Sequence, residues 1–338
     1  MTRPMTFVLA ALLTAPAGAQ EAPAAGPEKR PDELKTFINP DAKDTNTKLD
    51  LIIHTLYEVN QRLVNLQFGQ RYGDRIRMEL VQIPNVDKDL IPGWIFTPLK
   101  MAEGKRYPAL VAVHGGFHYS LDDEFFGFIE RFVNEGYVVI FPEYRGSRGY
   151  GKEHYDAQEY GGADVEDVLS AADLIATRPY VNPQKLGIVG RSRGGMVTLL
   201  AIERAPKRFQ AAVDVVGLAD FLMYMAYKPE YRRQEVAREP HFGGMPFDKL
   251  EKYIDVSPVN HVAKIETPLL VHATTYDSTV PHQLHSGRLV ELLKAYGKEY
   301  EYKLYDHAPG GHSYVYGDTP EARDSLDRIV VFLAKHLK

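Results

Sequence analysis

The 338-residue chain contains no cysteine. That absence removes disulfide frameworks, thiolate-bound zinc, iron–sulfur clusters and thiol nucleophiles together. A basic surplus is missing too: 40 Lys and Arg against 45 Asp and Glu leave a formal charge of -5. A nucleic-acid binder would carry the opposite balance, so none is expected as a partner. Tryptophan occurs once, yet Tyr and Phe keep aromatics at 11%, beside 44% hydrophobic and 25% charged residues. These are ordinary values for a globular chain, so disorder and transmembrane bundles are not expected. The length accommodates one large domain or two small ones with a substantial core. What these exclusions leave is a soluble protein, for which an enzyme is the first expectation.

Residues 1–19 have the layout of a secretory leader. Arg3 supplies the positive start, 7–13 an apolar stretch, and Ala17-Gly18-Ala19 a small-x-small cleavage site. The apolar stretch stops well short of the ~20 residues of a membrane span. The expectation is a secreted or periplasmic protein, with no membrane span, after cleavage following Ala19. A chain without thiols also suits an oxidising compartment. Residues 20–31, rich in Ala, Pro and Glu, suggest a flexible linker.

Leu49, Ile52, Leu56, Val59, Leu63 and Leu66 recur in steps of three and four, with Thr47 and Asp50 placed like a capping box. The stripe predicts an amphipathic helix packed by that face on the main domain. The same spacing is a heptad seam, so the 49–66 helix could instead make a homo-oligomer. From Arg75 the period changes to two, predicting a strand, and a second strand around 94–96 completes an antiparallel hairpin. Strands at 109–113, 137–141, 186–189, 211–216, 269–273 and 300–305 then alternate with helices at 122–134, 165–177, 194–204, 283–296 and from 321. This alternation implies an α/β fold: a mostly parallel sheet with helices on both faces.

Gly190-Arg191-Ser192-Arg193-Gly194 is a G-x-S-x-G motif between a predicted strand and a predicted helix. In that context the serine sits on a sharp turn above the sheet, where its hydroxyl can attack a carbonyl. A hydroxyl needs a base, and the base an orienting acid. Asp277 and His312 follow in the order Ser, Asp, His, each in a loop after a predicted strand. The competitors are weaker. Asp306 and His307 close the last strand and read as a surface pair. His282 and His285 are three apart on a helix start but lack a third ligand nearby, so no metal is expected. Asp214 and Asp220 are reserves for the acid. His114-Gly115-Gly116-Phe117 follows a strand and matches the HGG type of oxyanion loop, assigning backbone N–H groups of Gly116 and Arg193 to the oxyanion hole.

With HGGF at His114, EYRGSRGYGKEHY from Glu143, GRSRGG at Gly190, SPVNHVAKIETPLLVHATTYDSTVP from Ser257 and GGHSY at Gly310, residues 76–338 resemble the catalytic domain of prolyl oligopeptidase family serine peptidases. The resemblance implies an α/β-hydrolase fold over 75–338 with Ser192, Asp277 and His312 as triad. It also implies acyl transfer without metal or organic cofactor. Two departures bear on the substrate. Such enzymes usually carry a β-propeller first, and about 55 residues between the leader and Arg75 cannot form one. Arg193 stands where an uncharged residue is common, and its guanidinium could clamp a substrate carboxylate or instead pair with an acid such as Glu143. The GRSR elbow is also similar to that of glucuronoyl esterases. An insert at 221–253, carrying Phe221, Tyr224, Tyr227, Tyr231 and Phe242, is expected to be a helical lid offering an apolar pocket, or a helical excursion with buried aromatics. The first expectation is a serine peptidase acting on small peptides or amides. The alternatives are a carboxylesterase on acyl or carbohydrate-linked esters and a non-catalytic binding protein on the same fold.

Overall fold

The computed structural model describes residues 44–116 and 118–338. The expected leader and linker, and Phe117 of the HGGF motif, lie outside the described residues. The chain divides into two units, Met1–Leu51 and Ile52–Lys338. Of the first, residues 44–51 are described and form the opening turns of helix α1 (Thr45–Tyr72). Its cap is Asp44, whose carboxylate accepts the Thr47 N–H at 2.8 Å, rather than the expected Thr47 side chain.

The second unit is built on one eight-stranded sheet. Its strands are β1 (Ile76–Pro84), β2 (Leu90–Pro98), β3 (Tyr107–Val113), β4 (Val138–Pro142), β5 (Val181–Arg191), β6 (Ala211–Val215), β7 (Leu269–Thr274) and β8 (Tyr300–Tyr305). The spatial order is β1-β2-β4-β3-β5-β6-β7-β8. The β1–β2 hairpin and the β2–β4 pair are antiparallel, and every later pair is parallel. Asn85 sets the hairpin turn by accepting the N–H groups of Asp87 and Asp89 on its side chain.

The central strands are apolar on both faces because helices cover both. Val111, Ile140 and Ile188 point into a layer with α4 (Ala163–Ala176), which follows the short helix α3 (Lys152–Asp156), and α5 (Arg193–Arg204). Leu110, Val139 and Val213 point into the opposite layer with α2 (Phe126–Asn134) and the C-terminal helix Pro320–Leu337. Phe68 of α1 joins this second layer, 5.0 Å from the rings of Phe96 and Phe126. The parallel strands all end on one side of the sheet, and the loops there carry the polar motifs.

The expected packing face of α1 is corrected by the structure. Ile52, Leu56, Leu63 and Leu66 are more than half exposed, and Leu49 and Val59 nearly so. The buried face is His54, Gln61, Val64 and Phe68. The ring of His54 meets the edge of Tyr155 at 5.1 Å, and the Gln61 side chain lies beside Gly149. Two polar residues therefore occupy the inner face, because their neighbours are the polar loops of the site. Among the described residues no helix is long and apolar enough to cross a membrane.

Candidate active site

Strand β5 runs into α5 through Ser192, which adopts φ 59° and ψ -122°. That conformation costs a non-glycine residue about 1–3 kcal/mol and survives only where its surroundings enforce it. Here the Ser192 N–H donates to the Val215 carbonyl at 2.9 Å, continuing the sheet into the turn. The flanking glycines are steric requirements. A Cβ on Gly190 would collide with the Gly194 carbonyl, and one on Gly194 with the carbonyls of Val113 and His114.

Ser192 Oγ lies 2.8 Å from His312 Nε2, and His312 Nδ1 lies 2.7 Å from Asp277 Oδ2. The three side chains thus form one continuous hydrogen-bonded line. Asp277 is held from its other oxygen: Oδ1 accepts the N–H groups of Thr279 and Val280, both at 2.8 Å. The Thr279 carbonyl is gripped in turn by the Tyr227 hydroxyl and Lys228 Nζ, each at 2.9 Å. The insert therefore braces the loop of Asp277. His312 is fixed through its backbone, because Arg191 Nη2 donates to the His312 carbonyl at 2.6 Å and to Ser313 Oγ at 3.0 Å. The Arg191 guanidinium also stacks on Tyr316. Sequence reasoning did not assign Arg191 a role, although it is a variable position of the motif itself.

The HGG loop lies against Ser192. A Cβ on Gly115 would come within 3.0 Å of Ser192 Cβ, and Gly116 takes φ 70°. Arg193 opens α5, so its N–H stands at a helix start, where no intrahelical carbonyl is available to it. Behind this loop is a buried polar cluster from the EYRGSRGY segment. Tyr144 donates its hydroxyl to the His114 carbonyl (2.8 Å), and His114 Nε2 meets Ser147 Oγ (2.9 Å). Glu143 accepts the Leu121 N–H and the Tyr150 hydroxyl, and Trp94 donates to Tyr150. Desolvation pushes the Glu143 carboxyl up to about 8 and the His114 imidazole down to about 3. Both are therefore neutral near pH 7, and the network contributes shape rather than charge.

The Arg193 side chain turns inward, which corrects the substrate-clamp expectation and the suggested pairing with Glu143. It is 2% exposed, pairs with Asp164 Oδ2 at 3.0 Å, bonds the Glu159 carbonyl and reaches the Gly116 carbonyl at 3.5 Å. The rings of Tyr144 and Tyr160 flank it. A guanidinium so enclosed is a strut between the elbow, the HGG loop and α4. No sequence signal marked Asp164 as its partner.

The other candidates are placed elsewhere. His307 is exposed and bonds Asp306. His285 is buried, accepting the Asp220 N–H and meeting the Tyr227 hydroxyl, and burial pushes it down to about 3. Asp214 lies beneath the elbow, buried, its carboxyl pushed up to about 7 by desolvation. Asp220 caps the helix Phe221–Tyr227 and pairs with Arg288. Among the described residues no three His, Asp or Glu side chains converge as a metal site. In the insert, Phe221, Phe242 and Tyr253 stack on one another with ring separations of 4.3–6.2 Å. They are buried in the same core layer as α4 and α5, as in the helical-excursion reading, while Tyr231 is exposed.

Residues 124–338 match the prolyl oligopeptidase family. The chain is 31% identical over 225 residues to the uncharacterized peptidase YuxL of Bacillus subtilis (strain 168), covering 65% of this chain and 33% of that protein. It is also 31% identical over 209 residues to the uncharacterized peptidase YtmA of the same organism, covering 61% of this chain and 78% of that one. Among solved structures, a puromycin-hydrolyzing peptidase of Mycobacterium tuberculosis superposes with a TM-score of 0.66 at 25% identity, covering 77% of this chain and 39% of that one. The chain thus spans about a third of the length of YuxL but most of YtmA.

Proposed function

The chain belongs to the prolyl oligopeptidase family, and on that premise we propose that it is a serine peptidase that hydrolyses small peptides or amides through an acyl-enzyme. The observation that carries the reading is the unbroken line from Ser192 Oγ through His312 to Asp277. His312 Nε2 takes the hydroxyl proton as Ser192 Oγ bonds to the scissile carbonyl carbon. The charge that appears on the carbonyl oxygen is met by the backbone N–H groups of Arg193 and Gly116. His312 then gives its proton to the leaving amine as the C–N bond breaks. Water, deprotonated by the same nitrogen, releases the acid and regenerates Ser192. Asp277 holds the imidazole with Nδ1–H toward itself and Nε2 free to accept. The relatives matched include named peptidases, which favours amides over esters as substrates.

The test is a paired screen of N-blocked aminoacyl anilides, short peptides and the corresponding esters with purified protein. Anilide or peptide turnover that disappears in Ser192→Ala is expected. Turnover confined to esters would transfer the protein to the carboxylesterases. No turnover, together with no labelling by a fluorophosphonate, would leave the binding-protein reading.

A further inference from the structure

Helix α1 has two faces, and among the described residues only one is covered. His54, Gln61, Val64 and Phe68 are buried, whereas Leu49, Ile52, Leu56, Val59, Leu63 and Leu66 are 46–63% exposed. The exposed set is a run of three heptads with every a and d position apolar. An apolar stripe of this length on an outward helix face is the mark of an interaction surface.

We infer that two copies of the chain pair through this stripe, with their α1 helices antiparallel about a two-fold axis. Three observations select a second copy as the occupant. First, the stripe is self-complementary. Run antiparallel, Leu56 meets the partner's Val59, Ile52 the partner's Leu63, and Leu49 the partner's Leu66, so one centre serves all the layers. A parallel pair would stack leucine at a and β-branched Ile52 and Val59 at d, the reverse of what parallel dimers favour. Second, no like charges meet across the seam. The flanks set Arg62 opposite the partner's Thr55, and Ile53 opposite the partner's Asn60. Third, the area suffices. Full coverage of these side chains removes on the order of 600 Å² from water in each copy, about 1,200 Å² for the pair, which is the lower edge for specific interfaces. A reversible dimer follows rather than an obligate one.

Light scattering on the purified protein at tens of micromolar should give twice the chain mass that mass spectrometry finds in the same sample. Leu56→Lys/Leu63→Lys should raise the dissociation constant at least ~100-fold, a loss of two buried apolar contacts on each side. Both positions are solvent-exposed in the single chain, so hydrolytic activity should be retained, and the melting temperature should match the parent's once both are diluted below the parent's dissociation constant. Orientation can be read independently, because the natural chain has no thiol. Mixing Leu56→Cys with Val59→Cys chains under oxidation should form disulfide dimers faster than either variant alone. Four results would each overturn the inference: a monomer across the concentration range; a dimer that survives the double lysine variant; self-association that appears only when residues 1–43 are removed, which would make that segment the cover; or a monomer that floats with anionic vesicles.

Discussion

Asp277→Asn is the sharpest test of the catalytic geometry, because the structure dictates how the new amide must sit. Oδ1 of Asp277 accepts two backbone N–H groups, from Thr279 and Val280, and Oδ2 faces His312 Nδ1. In asparagine the amide oxygen must take the first position, since placing NH2 there would oppose two backbone donors, the buried one of Val280 alone costing about 1–3 kcal/mol. The NH2 then points at His312 Nδ1 and can only donate. His312 is driven to the tautomer with its proton on Nε2, where it cannot accept from Ser192. The side chain is nearly isosteric, so folding and substrate binding should persist. By analogy with the serine-protease triad, kcat should fall about 10⁴-fold, ~5.5 kcal/mol of transition-state stabilisation, with KM little changed. The assay is steady-state anilide hydrolysis, with a thermal melt as the folding control. A loss of less than about tenfold, or an equal loss in Asp306→Asn, would remove Asp277 as the orienting acid.

Arg191→Met should lower kcat about 10–100-fold at constant KM, with partial recovery in Arg191→Lys, because the His312 carbonyl loses its donor; unchanged kcat would make the contact incidental. Arg193→Met should destabilise the fold by about 3–5 kcal/mol by stranding buried Asp164. Its activity should fall equally on acidic and neutral substrates, and a selective loss on acidic ones would restore the clamp. Glu143 has a folded pKa raised to about 8 from an ordinary 4.5, so the native state binds the extra proton between these values and stability falls as pH rises through that window. Glu143→Gln keeps an acceptor for Leu121 and Tyr150, and its denaturation midpoint should decline less from pH 5 to pH 8 than that of the parent; parallel declines would refute the assignment. The leader expectation is tested by N-terminal sequencing of the protein from a fractionated host: a start at Gln20 would support it, and a start at Met1 would refute it.

The alternation of strands and helices, the elbow and the strand-end positions of Asp277 and His312 were legible because they are local. A strand needs only its own apolar pattern, and a turn as tight as that at Ser192 needs Gly190 and Gly194 in the chain beside it. The hairpin was legible for the same reason. What lay beyond reach depended on neighbours far away in sequence. Arg193 finds Asp164 only once α4 is laid against α5, and its charge alone said nothing about facing inward. Arg191 finds the His312 carbonyl across 121 residues. The apolar count along α1 pointed to the leucine stripe as the packed face, but the surface that receives the helix is formed by Tyr155, Gly149 and Phe126, which match His54, Gln61 and Phe68. Residue type and spacing thus determined which groups could do chemistry and the order in which the strands would present them. Only the tertiary structure decided which way each long side chain and each helix face would turn, because that choice is made by desolvation and pairing with partners that the chain brings together only when folded.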